Sequence, residues 1–115
     1  MSWQIESNTV RTPNGAVVTF DHPVGETAEI GGALVVLLQV PANQSMPENV
    51  FGVSTDGRIL WQIEPVTAAG AKPYFYYAAI KAQGDDWVRL WNYGCFLVDA
   101  DVRTGKVKRV EEKRW

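Results

Sequence analysis

One cysteine and one histidine are all that 115 residues contain of the side chains that most often build zinc sites. A lone Cys95 cannot close an internal disulfide, which fits a reducing compartment, so the cytoplasm is the expected location. Net positive charge is also lacking: 11 Lys and Arg against 13 Asp and Glu give a formal net charge of −2, the wrong sign for a non-specific nucleic-acid binder, whose phosphate contacts need a positive surface. The longest apolar run, Ala33 to Leu38, is far too short to span a bilayer, and neither end carries a basic, apolar and small-residue leader pattern. No nucleic acid and no membrane are therefore expected as partners. Leu and Met together number 8, against 27 for Val, Ile and Thr. Branched Cβ atoms restrict χ1 and suit a pleated surface, so strands are favoured over helices.

The length suits one domain, residues 1–115, with enough chain to bury a core unaided. Turn residues cut it into short apolar segments. Trp3 to Val10 reads as a first strand, Thr12-Pro13-Asn14-Gly15 as a hairpin turn, and Ala16 to Phe20 as the return. His22-Pro23 interrupts pairing. After Gly31-Gly32, the segment Ala33 to Val40 is apolar on both faces, so it must be covered on both sides and belongs at the centre of the core. Asn49 to Ser54 and Arg58 to Ile63 form a second hairpin around Asp56-Gly57, with Ile59, Trp61 and Ile63 expected on one face. Tyr74 to Ala82, Trp87 to Trp91, Cys95 to Asp99 and Lys106 to Val110 complete about eight antiparallel strands. Hairpins at this spacing predict a mainly β fold: a bent sheet, half-barrel or small barrel.

The run Asn49-Val50-Phe51-Gly52-Val53, then Asp56-Gly57-Arg58-Ile59-Leu60-Trp61-Gln62-Ile63, resembles a family of small uncharacterised bacterial proteins. Their shared segment is N-V-(F/Y)-x-(V/I)-x-x-(D/N)-G-x-(I/L)-x-W-Q-I. An aromatic hairpin follows, here Trp91-Asn92-Tyr93-Gly94, and then a V-D, T-G-K ending, here Val98-Asp99 and Thr104-Gly105-Lys106. The same hairpin is similar to single blades of quinoprotein-type β-propellers, although this chain is too short to close a propeller of about four or more blades. The resemblance implies β-hairpins and an accessory bacterial role, such as a mobile cassette or toxin immunity, and no established activity.

The spacing of reactive side chains favours no catalytic machinery. His22 and Asp21 are neighbours that a strand would turn to opposite faces. Cys95 has only Tyr93 and Phe96 nearby, and no cation that would activate a thiol. Asp99-Ala100-Asp101 begins like a calcium loop, but Thr104 stands where glycine is needed and Val110 where glutamate is needed. Asp85-Asp86 reads as a solvated turn pair. No catalytic residue, metal or cofactor is assigned on this pattern.

The aromatic residues carry more information. Five Trp and four Tyr are present, most of them after position 60. If Val88 and Leu90 face inward, period two sends Trp87, Arg89 and Trp91 to the opposite face, beside Tyr74, Tyr76 and Tyr93. Rigid aromatic area with a forked cation is the composition of a binding hot spot. These six residues are the candidate partner- or ligand-binding site. The expected function is a non-catalytic protein-interaction module, self-associating as a homodimer or meeting a protein partner. A small-ligand site for a sugar or flat aromatic is the alternative. An enzyme using a buried carboxylate, Glu64 or Asp86, is a third.

Overall fold

The computed structural model describes residues 3–40, 48–63, 77–92 and 96–112. They form eleven antiparallel strands in three meander sheets, each sheet taking its strands in chain order. The first sheet holds β1 (Gln4–Glu6), β2 (Thr9–Arg11) and β3 (Val17–Thr19). The central sheet holds β4 (Val24–Ile30), β5 (Ala33–Leu38), β6 (Val50–Val53) and β7 (Ile59–Gln62). The third holds β8 (Tyr77–Gln83), β9 (Trp87–Asn92), β10 (Phe96–Asp101) and β11 (Val107–Glu112). No sheet closes into a barrel among these strands. Among the described residues no helix is long and apolar enough to cross a membrane.

The strand β5 organises the stack. All six of its residues are buried, as two apolar faces require. Ala33, Val35 and Leu37 pack with Val88, Leu90, Val98 and Ala100 of the third sheet. Leu34, Val36 and Leu38 pack with Val10 and Val18 of the first, and with Phe20 just after β3. The central sheet is thus covered on both sides. Burying the five Leu and Val side chains of β5 contributes roughly 8–15 kcal/mol gross, comparable to the whole net stability of a domain.

Two local expectations are corrected and one unread stretch is assigned. Trp3 to Val10 is not one strand, because Ser7 adopts φ 54° and the chain reverses there between β1 and β2. The unassigned stretch Val24–Ile30 is a strand. Gly31 and Gly32 both have positive φ (57° and 81°), the two-residue hairpin turn that carries β4 back along β5. Finally, Ile59 does not share a face with Trp61 and Ile63. A bulge lets Gly52 pair with Trp61 but Val53 with Ile59, leaving Leu60 as the extra residue. That one-residue slip moves Ile59 to the other face, and Ile59 and Leu60 are both exposed.

Two polar ties join the layers. Asn49, fully buried, donates from Nδ2 to the carbonyls of Leu38 (2.9 Å) and Tyr77 (2.8 Å). Its Oδ1 accepts from the Tyr77 amide at 2.8 Å, so the side chain acts as a strand residue at the start of β8. Trp61 lies across Gly52 and beneath Gly105, and its indole N–H donates to the Val102 carbonyl.

Candidate functional site

The third sheet runs β11-β10-β9-β8, so β9 and β10 are its middle strands. Alternation along β9 sends Val88 and Leu90 fully into the core, and along β10 it does the same for Phe96, Val98 and Ala100. The opposite face carries Trp87, Arg89 and Trp91 beside Leu97, Asp99 and Asp101, all half-buried. Register turns these six residues into three rungs: Trp91 opposite Leu97, Arg89 opposite Asp99, and Trp87 opposite Asp101.

The middle rung is a two-pronged ion pair. Arg89 Nε donates to Asp99 Oδ1 at 2.8 Å, and Nη2 donates to Oδ2 at 3.1 Å. The guanidinium carbon also sits 5.6 Å from the Trp87 ring centroid, within cation–π range. Trp87 in turn lies so close over Gly84 that any Cβ there would overlap the indole. The Gly84 amide donates to the Trp87 carbonyl at 2.9 Å, closing the turn beneath the ring. Asp99 therefore holds Arg89, Arg89 caps Trp87, and Trp87 rests on bare backbone.

Electrostatics follow the geometry. The hydrogen bonds that Arg89 donates to Asp99, then the charge of Asp99, raise the Arg89 pKa against desolvation, and Glu111 adds to the rise. Arg89 is charged at any accessible pH, so the pair acts on position and not on protonation. Partly solvated pairs of this kind add little to stability. They do reduce the rotamer freedom a long side chain would lose on docking, which preorganises the face. At the end of the stripe, the Arg103 amide donates to Asp101 Oδ1 at 2.8 Å. That bond, opposed by desolvation and helped by the Arg103 charge, lowers the Asp101 pKa. A depressed carboxyl contributes stability above its unfolded pKa and loses it as pH falls, so this turn loosens in acid.

Of the six candidate residues, Trp87, Arg89 and Trp91 come together on this face, whereas Tyr74, Tyr76 and Tyr93 lie outside the described residues. So do Cys95 and Glu64. Asp86 is not the buried carboxylate an acid–base mechanism would need, because its side chain is 49% exposed and lies 3.7 Å from Arg103. Among the described residues no group of three or more His, Cys, Asp or Glu side chains is placed to hold a metal ion. Leu97, Asp99 and Asp101 also belong to this face, although none of them was among the six candidates. Their signal was the alternation of Phe96-Leu97-Val98-Asp99-Ala100-Asp101.

Three stacked antiparallel sheets, with an ordered aromatic and charged stripe on an outer sheet, define an all-β domain. The chain belongs to the family described as a domain of unknown function (DUF7957), whose model matches residues 2–112. No curated protein matches the chain.

Proposed function

We propose that this chain is a non-catalytic protein-interaction module that pairs with a second copy of itself through the outer face of β9 and β10. The observation that carries the reading is the forked Arg89–Asp99 pair set between two half-buried indoles. A two-fold contact needs a surface that complements itself. Here a two-fold axis parallel to the strands and midway between β9 and β10 lays β9 of one copy on β10 of the other, Trp91 on Leu97 and Trp87 on Asp101. It also brings each Arg89 toward the other copy's Asp99, so opposite charges meet. Four strands of this length present a face of about 20 by 20 Å, at the small end of specific interfaces, so the association is weak and depends on concentration. Neither nucleic acid nor membrane is a partner in this reading, and a reducing, cytoplasmic setting suits Cys95. The accessory bacterial role implied by the Asn49 to Ile63 segment, toxin immunity included, would use the same face against a different protein.

Sedimentation velocity between roughly 5 and 500 μM tests this, since weak interfaces dissociate in the micromolar range. The wild type is expected to move from monomer to dimer across the series. Trp87→Ala with Trp91→Ala should raise the dimer dissociation constant about tenfold or more, with the β circular-dichroism signal retained. Leu97→Lys, a single change on the same face, should act in the same direction. A wild type that stays monomeric throughout would rule out the second copy as partner.

A further inference from the structure

At one end of the stack three turns meet: Gly31-Gly32, Gly84 to Asp86, and Val102 to Gly105. With Leu60 they line a cleft of about 180 Å³ that shares no lining residue with the β9–β10 stripe. Ile30, Ala33, Leu60 and Val102 supply apolar walls, and Asp85, Asp86 and Arg103 supply the rim. The walls are tied together before any ligand arrives. The Val102 amide donates to the Asp86 carbonyl at 3.0 Å, and the Val102 carbonyl accepts the Trp61 indole N–H.

Charge decides what the cleft can hold. Arg103 faces Asp86 at 3.7 Å and Asp101 at 3.5 Å, while Asp85 makes no ion pair among the described residues. Asp86 and Asp101 face the one guanidinium and Asp85 lies on the same rim, so negative charge outweighs positive and a cation is favoured over an anion. The Arg103 side chain is 73% exposed, and pairs so solvated hold weakly, so Arg103 can be displaced. The volume lies below that of drug-sized sites and has room for about six groups of water size.

We propose that this cleft binds a small aliphatic amine. Its alkyl chain lies on Ile30, Ala33, Leu60 and Val102, and its ammonium sits between Asp85 and Asp86 in place of Arg103. The amine itself would touch none of the residues of the β9–β10 stripe, although Arg103, the group it displaces, also pairs with Asp101 of that face.

Amide chemical-shift titration with hexylammonium at neutral pH tests it, with hexanoate as the control of opposite charge. A ligand of this size is expected to bind with a dissociation constant in the millimolar range. Saturable shifts should appear at Leu60, Asp85 and Val102. Asp85→Asn with Asp86→Asn, both at solvent-accessible positions, should weaken binding about fivefold or more. Arg103→Ala should tighten it, because the internal competitor is gone. Hexanoate binding as well as hexylammonium, an unchanged affinity in the double asparagine variant, or shifts confined to the Trp87 and Trp91 face would each overturn the assignment.

Discussion

Asn49→Ala is expected to lower the unfolding free energy by about 3–4 kcal/mol, read as a fall in urea midpoint with an unchanged slope. The side chain makes three hydrogen bonds, all to backbone groups and all inside the protein. Alanine removes every one of them and leaves the Tyr77 amide and two carbonyls in a site closed to water. Each such orphan costs about 1–3 kcal/mol, and relaxation recovers part of the sum. Asn49→Asp sharpens the argument, since it keeps the shape but replaces the amide donor with a second acceptor. At neutral pH its carboxylate would face the Leu38 and Tyr77 carbonyls, so the loss should at least equal that of alanine. Burial raises the pKa of such an acid, and its neutral form can donate one bond. Relative to wild type, the defect should therefore shrink as pH falls toward 4. A loss below about 1 kcal/mol for Asn49→Ala would mean that this tie between the central and third sheets contributes little.

Gly52→Ala should be similarly costly, by about 3 kcal/mol, although it adds a single methyl group. A Cβ at Gly52 overlaps the Trp61 indole, and a Cβ at Gly105 would likewise come within 2.7 Å of the ring. The ring is buried and held by its N–H, so it does not shift freely. Displacing it also breaks the indole bond to Val102, which anchors the turn between β10 and β11. A double-mutant cycle separates this overlap from a general strand effect. In a Trp61→Leu background the overlapping ring is gone, so Gly52→Ala should cost less than about 1 kcal/mol, giving a coupling of roughly 2 kcal/mol. Additive losses in that cycle would place the cost elsewhere in β6.

Those two sites also show where reading the chain residue by residue stops. Asn49 looks like an ordinary polar residue at the start of a strand. Nothing near it in sequence announces that its partner, Tyr77, lies 28 positions away. Gly52 looks like a weak point in β6 until the bulge brings Trp61 opposite it. The Arg89 fork was half legible. Alternation in β9 placed Arg89 between two indoles on the face opposite Val88 and Leu90, but Asp99 becomes its partner only through strand register. Ile59 marks the same limit from the other direction, because a strict count of two is defeated by one inserted residue.

Composition and periodicity by themselves determined the β class, the hairpins at Asn14-Gly15 and Asp56-Gly57, the burial of both faces of β5, and the inward course of Val88 and Leu90. These depend on Cβ branching, on glycine's access to positive φ and on the pleat, all of which act within a few residues. Only the tertiary structure decided that the strands divide into three stacked sheets, that Asp99 holds Arg89, and that three turns distant in sequence meet around a cleft. Such features follow from register and sheet packing, where the energy comes from contacts between segments that no local pattern links.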